Sequence, residues 1–264
     1  MTLPTVFIPH GAGPCFFMDW TRGPADDWAP LAEWLKGLVG SLPERPKAIL
    51  VISGHWEAPA FTVGSAERPP LIFDYYGFPE HTYRLRFEAP GSPALARRIR
   101  ELLVAAGLPA QEDAERGYDH GVFVPLKLVT PEADIPVVQL SLNQDLDPDT
   151  HLAAGRALAP LRDEGVLIVG SGMSWHNMRG FTPAFTGKSA AFDAWLAQAT
   201  ADPARREEAL RHWAEAPYAR EAHPREEHLA PLFVAAGAAE GETGRVAFRD
   251  TVMDVVVSAI EFGG

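Results

Sequence analysis

The chain has 264 residues, 47% of them hydrophobic, which is enough to bury the core of one large α/β domain or two small ones. Its formal charge of −12 includes no basic block, which argues against a nucleic-acid partner and against an anionic membrane surface. The single cysteine, Cys15, excludes an intrachain disulfide and fits a reducing cytoplasm.

No apolar run approaches the roughly 20 residues of a membrane span, and the N-terminus lacks the basic and apolar regions of a signal peptide. The expectation is a soluble, cytoplasmic protein. Thr5 to Ile8 reads as a strand that runs into Pro9-His10-Gly11. A sharp turn at Gly11-Ala12-Gly13-Pro14 follows, with Cys15 as a small buried residue after it. This turn lacks the Gly-Lys-Ser/Thr ending of a nucleotide loop. Trp28, Leu31, Trp34, Leu35 and Leu38 then recur at helical spacing and predict the first covering helix.

Ala48 to Glu57, AILVISGHWE, is the stretch around which the chain is organised. Its continuous apolar run suits a central strand covered on both faces, stopping at Ser53-Gly54 and delivering His55. In such sheets ligands bind beyond the carboxyl ends of the strands. Phe61 to Gly64 reads as a short further strand. Pro69 to Pro90 reads as a long surface excursion with a strand at Tyr83 to Phe87, and its Tyr75, Tyr76, Phe78 and Tyr83 are expected to border a substrate entrance.

Pro93 to Ala106 predicts a helix capped by Ser92 and ended by Gly107. His120 stands between Asp119 and Gly121 at the start of an apolar segment. Ile135 to Leu142 predicts a strand, Pro148 to Leu161 a helix, and Val166 to Val169 a strand that leads through a flexible Gly170-Ser171-Gly172 turn to His176. Ser189 to Ala201 and Glu207 to Ala214 read as helices. In His223 to Gly237, Pro231 requires either a helix start near His228 or a kink. Val246 to Phe248 and Met253 to Ile260 complete the sheet. The fold class this predicts is α/β, one domain over residues 1–264 with a central, mostly parallel or mixed sheet flanked by helices.

Of the nine histidines, His151 and His212 read as solvated helix residues, His81 as a loop residue and His223 as a helix-entry residue. His10, His55 and His228 stand at strand ends or a helix start, where an imidazole can be aimed rigidly at a shared centre. Spacing alone leaves a metal site and ordinary core or surface histidines as open alternatives.

The combination of Pro9-His10-Gly11, Ser53-Gly54-His55-Trp56, Asp119-His120-Gly121, Gly170-Ser171-Gly172 before His176-Asn177, and Glu227-His228-Leu229 resembles the class III extradiol ring-cleavage dioxygenases. It is most similar to the branch that includes the bacterial and plant DOPA 4,5-dioxygenases. The resemblance implies an oxidoreductase that opens a catechol-type ring with O2 around one divalent metal ion, Fe(II) or Zn(II). The implied ligands are His10, His55 and His228, the last where protocatechuate-type members carry glutamate, with Glu227 beside it. His176 becomes the active-site base, and His120 contacts substrate or the oxygen species.

Tyr118, Met173 and Trp175 are bulkier than the family's usual residues, so Tyr118 and Trp175 are expected to bear on the substrate pocket. A homo-oligomer is compatible with this reading. A zinc hydrolase with His176 as proton shuttle is the second reading, and a non-catalytic Memo-like binding protein the third. The presence of both His120 and His176 beside the ligand positions counts against the third.

Overall fold

The computed structural model describes residues 2–263. Its strands are β1 (Thr5–Pro9), β2 (Ala48–Ala58), β3 (Phe61–Gly64), β4 (Ala110–Asp113), β5 (Val137–Asn143), β6 (Val166–Gly172), β7 (Gly244–Val252) and β8 (Val255–Phe262). The helices are α1 (Ala29–Ser41), α2 (Pro93–Ala105), α3 (His120–Val129), α4 (Pro148–Leu158), α5 (Pro160–Asp163), α6 (Thr186–Ala201), α7 (Pro203–Arg211), α8 (Ala219–Ala222) and α9 (Ala230–Ala238). None of the described helices is long and apolar enough to cross a membrane.

One eight-stranded sheet runs in the order β4-β3-β5-β2-β6-β1-β8-β7. The central four strands β5-β2-β6-β1 are mutually parallel, whereas β8 joins β1, β7 joins β8, and β3 joins β5 in antiparallel fashion. The sheet is therefore mixed, with a parallel heart whose carboxyl ends share one edge. Alternate residues of β6 face opposite covers. A Cβ on Gly170 would lie 2.4 Å from the Pro231 carbonyl oxygen at the start of α9, while Ser171 Oγ donates to the Gly121 carbonyl in α3. Helices on both faces explain why every residue of β1 and β6 is buried and why these strands read as unbroken apolar runs.

Several local expectations change in the folded chain. Strand β2 does not stop at Ser53-Gly54 but continues to Ala58 through an irregularity. Ile52 pairs with Leu140 and Glu57 with Leu142, so five steps on β2 answer two on β5, and the excess is a bulge centred on His55. Gly170 to Gly172 is buried strand rather than a flexible turn. The segment Tyr83 to Phe87 forms no strand, because Glu80–Arg84 coils into a 3₁₀ turn. Pro231 sits in the first turn of α9, where a missing N–H costs nothing, and His228 lies just before that helix.

His151 and His223 are fully buried, not solvated or merely at a helix entry. His151 Nδ1–H donates to the Asp147 carbonyl at 2.7 Å and its Nε2 accepts from the Asn143 N–H at 3.2 Å, so the ring clips the end of β5 to α4. His212 is exposed, as expected.

Candidate active site

The carboxyl edge of the parallel strands gathers the histidines. The end of β6 and the residue after it hold two of them through the backbone: His10 N–H donates to the Gly172 carbonyl, and Met173 N–H donates to the His228 carbonyl, each at 3.0 Å. A Cβ at Gly172 would lie 2.1 Å from that His228 oxygen, so only glycine lets the chain before α9 approach so closely. At Gly11 a φ of +89° turns the chain away immediately after His10.

A buried carboxylate joins the other two positions. Asp119 accepts from Ser53 Oγ at 2.8 Å, from Arg116 at 2.9 Å and from Gln139 Nε2, which ties the bulge bearing His55 to β5 and to the first turn of α3, where His120 stands. Burial pushes the Asp119 carboxyl upward against the pull of the Ser53 hydrogen bond.

His55 Nε2 lies 3.2 Å from His10 Nε2 and 3.2 Å from His228 Nε2. His10 Nδ1–H donates to the Gly11 carbonyl at 2.9 Å, and His228 Nδ1–H donates to Glu227 Oε1 at 2.9 Å. In the neutral rings both of their Nε2 atoms are therefore bare lone pairs, and His55 has at most one proton to offer two of them. Burial, then the charge of neighbouring imidazoles, holds His10 and His228 well below the ordinary histidine range and His55 at about 3. Protonation is thus no remedy at neutral pH. Convergent imidazole nitrogens of this kind are a donor set that could hold a cation. Metal–nitrogen bonds of about 2.0–2.1 Å place adjacent ligand nitrogens about 2.8–3.4 Å apart between octahedral and tetrahedral geometry, which brackets the observed spacing.

Two acids surround this centre. Asp74 Oδ1 accepts from His120 Nδ1–H at 2.7 Å and from its backbone N–H at 3.0 Å, and Asp74 Oδ2 lies 4.0 Å from His55 Nδ1. Burial raises the Asp74 carboxyl, but the hydrogen bonds and charge of His120 outweigh it and leave the group below its usual range. Glu227 Oε1, besides accepting from His228, lies 3.3 Å from His176 Nδ1. The His176 ring stacks on His228 with centroids 3.3 Å apart and an interplanar angle of 15°. Its backbone N–H donates to the Ala222 carbonyl at 3.0 Å, and Asn177 Nδ2 donates to the Glu221 carbonyl at 2.8 Å, so the loop is anchored to α8. The potential ligand atoms form two sets, His10 with His55 and His120, and His176 with Glu227 and His228, each within 4.8 Å, and the sets meet between His55 and His228.

Above the histidines opens a cavity of about 440 Å³, floored by His10, His55, His120 and His176. Its walls are Tyr75, Tyr76 and Phe78 from the aromatic excursion, Trp20, Arg22 and Trp28 from the segment before α1, Met173, Met178 and Phe181 after β6, and Met253 from the β7–β8 turn. A larger groove of about 710 Å³ is lined wholly by residues between Arg68 and Pro90 and contains no histidine, so the smaller cavity is where chemistry is available.

Tyr83 packs behind Tyr75 at 5.2 Å rather than on the cavity wall. Tyr118 and Trp175 are also absent from the wall, which corrects the expectation that they bear on the pocket. Tyr118 is buried with its hydroxyl donating to the Val137 carbonyl at 2.7 Å, and Trp175 is buried against Phe185. Of the three bulky residues, only Met173 faces the cavity. Sequence reasoning missed Asp74, whose one signal is an acid between two aromatics, Phe73 and Tyr75, within the excursion.

A mixed α/β sheet with a histidine centre at its carboxyl edge and acid-supported imidazoles around it is the architecture of an enzyme. Residues 5–258 match the family described as the catalytic LigB subunit of aromatic ring-opening dioxygenase, and the chain belongs to that family.

It is 44% identical to a 4,5-DOPA dioxygenase extradiol of Beta vulgaris over 245 residues, covering 91% of this chain and 88% of the relative. It is 43% identical to a protein of the same name from Portulaca grandiflora over 213 residues, covering 79% of this chain and 77% of the relative. The crystal structure of an uncharacterised protein from Escherichia coli K12 superposes with a TM-score of 0.73 at 30% identity, covering 99% of this chain and 100% of that one. The chain is an extradiol aromatic ring-opening dioxygenase.

Proposed function

We propose that this chain, acting as one catalytic domain, opens the ring of a catechol-type substrate with O2 in a reaction that depends on one divalent metal ion held by His10, His55 and His228. The observation that carries this reading is the pair of 3.2 Å Nε2–Nε2 contacts, in which three neutral imidazoles share at most one proton and at least one lone pair is left without a donor. A metal held there would supply binding for two adjacent hydroxyls and for oxygen, and a path for electrons from ring to O2. Because zinc has no redox chemistry, Fe(II) is the metal this reaction favours.

The chain's own side chains supply the rest. His176 accepts a proton from a substrate hydroxyl, with Glu227 fixing the orientation of its ring. His120 is held by Asp74 through Nδ1, which leaves Nε2 to face the reacting oxygen atoms. The apolar walls exclude water from the ring. Both oxygen atoms enter the product, the carbon–carbon bond beside the hydroxyl pair breaks, and a hydroxymuconic semialdehyde forms. The lone buried Cys15 supports a reducing, cytoplasmic setting.

The test is oxygen uptake by anaerobically prepared, Fe(II)-loaded protein given a panel of catechols. Stoichiometric uptake with a yellow ring-opened product is expected. An absence of uptake across the panel, with ester hydrolysis by zinc-loaded protein instead, would overturn the reading.

A further inference from the structure

Resting on the ring-opening reading, we propose that Arg22 makes the cavity selective for catechols whose substituent ends in a carboxylate and carries no amine. Arg22 is the one lysine or arginine on the wall of the histidine cavity, and no aspartate or glutamate lines that wall. Its guanidinium stands 6.0 Å over the Phe78 ring and forms no ion pair among the described residues, although the chain carries 35 acids against 23 lysines and arginines. Most other arginines are engaged, as Arg225 is with Glu57 and Arg45 with Asp134; Arg68, Arg86, Arg97 and Arg179 also form no ion pair among the described residues, but none of them lines the histidine cavity.

A second observation points the same way. Trp20 and Trp28 line the same cavity, and the indole Nε1 of each is buried without a hydrogen-bond partner. These donors are closed off from solvent, so the indoles present their rings to the cavity and leave Arg22 as its polar handle. Asp27, also on this segment, has a buried Oδ2 without a partner, but it does not line the cavity. The wall before α1 therefore offers a cation beside two indole rings, and nothing on the cavity wall offers a carboxylate to an ammonium. A cavity of about 440 Å³ leaves room beyond a catechol ring for a short acidic substituent.

The experiment compares 3,4-dihydroxyphenylpropanoate, its α-amino derivative DOPA, 4-methylcatechol and dopamine on Fe(II)-loaded protein and its Arg22→Gln and Arg22→Lys variants. Arg22 is exposed, so the variants should fold. KM should be lowest for the propanoate, no lower for DOPA, higher for 4-methylcatechol and highest for dopamine.

Arg22→Gln should raise KM for the propanoate about 3- to 10-fold, the range for a charge-assisted hydrogen bond discounted for solvent exposure, and change it for 4-methylcatechol by less than about twofold. The kcat values should hold, and Arg22→Lys should recover part of the loss. Equal KM changes for charged and neutral catechols, or a preference for dopamine, would overturn the proposal. Anaerobic calorimetry of the same ligands reads the ranking without turnover. The ranking in binding without ring opening by any compound would defeat the ring-opening reading while upholding the role of Arg22, and its absence in binding would defeat that role.

Discussion

Glu227 separates two accounts of the centre, because a carboxylate next to His228 can either bind the metal itself or orient the imidazole that does. Glu227 Oε1 lies 2.9 Å from His228 Nδ1 and 3.3 Å from His176 Nδ1. That places it behind the rings, on the nitrogens turned away from the His10–His55 contact. Its Oε2 is buried without a hydrogen bond, with Arg225 Nη1 at 3.6 Å. Glu227→Gln keeps the volume but removes the charge that polarises His228, and it puts an amide N–H₂ either at the unpartnered position or against a ring N–H.

Loss of such an outer carboxylate costs about 10- to 100-fold in metal affinity, or about 1.4–2.7 kcal/mol. His228→Ala, which deletes a nitrogen from the centre itself, should cost more and leave protein that purifies largely without metal. Competition with a chromophoric chelator under anaerobic conditions measures both. Wild-type affinity in Glu227→Gln would show that the carboxylate does not tune His228. A loss as large as that in His228→Ala would show that Glu227 is itself a ligand.

Other perturbations follow from the same geometry. His176→Ala should retain the metal and still chelate a catechol, seen as a charge-transfer band, while kcat falls by about 10² to 10⁴ as for loss of a general base; protein that purified without metal would make His176 a ligand. Asp74→Asn should lower kcat by about 10- to 100-fold with nearly unchanged metal content, because the amide oxygen can still accept from His120 but the negative charge that polarises its ring is lost; an unchanged kcat would show that this charge does not act through His120.

Stability should fall as the solution is acidified from about pH 6.5, the ordinary histidine value, toward pH 3. Burial, then the charge of His176, holds His223 at about 3, and burial also lowers His151, so the unfolded chain takes up protons that the folded chain refuses. The dependence is up to about 1.4 kcal/mol per pH unit for each group. Urea melts at pH 7 and pH 5 measure it, and equal midpoints would contradict the buried neutral state.

What the sequence made legible divides along physical lines. Strands β1, β2 and β6 were readable because double-sided burial demands unbroken apolar runs, and His10, His55 and His176 because each stands where such an apolar run ends at the ligand-binding edge. Gly170 and Gly172 were misread as turn residues. Their glycines answer a different demand, the close approach of the Pro231 and His228 carbonyls to the strand, and that contact between distant segments leaves no local mark. His151 looks solvated beside charged neighbours, yet two backbone groups satisfy both ring nitrogens and permit full burial. Asp74 was invisible for the same reason, since its meaning comes from His120, 46 residues away.

The distribution of these parts bears on how the enzyme can vary. The three proposed ligands stand just after β1, on the bulge of β2 and just before α9, and Gly172 at the end of β6 and Met173 after it fasten His10 and His228 by backbone hydrogen bonds. Moving any of them disturbs the buried sheet. The cavity wall is built instead from Trp20 to Trp28, Tyr75 to Phe78, Met178 to Phe181 and Met253, which lie outside the strands and helices that carry the core. Substitutions at its exposed members, Arg22, Tyr76 and Met178, can reshape or recharge the space above the histidines at little cost to folding, whereas Trp20, Trp28 and Tyr75 are buried in the core.

Asp74 is the exception, because it belongs to the same excursion as Tyr75, Tyr76 and Phe78 yet holds His120. A change that repositions this excursion to admit a different substrate therefore also moves the group that orients a candidate catalytic imidazole. Variants of Tyr76, which is 90% exposed, should alter KM alone, whereas shortening the excursion should depress kcat and raise KM together.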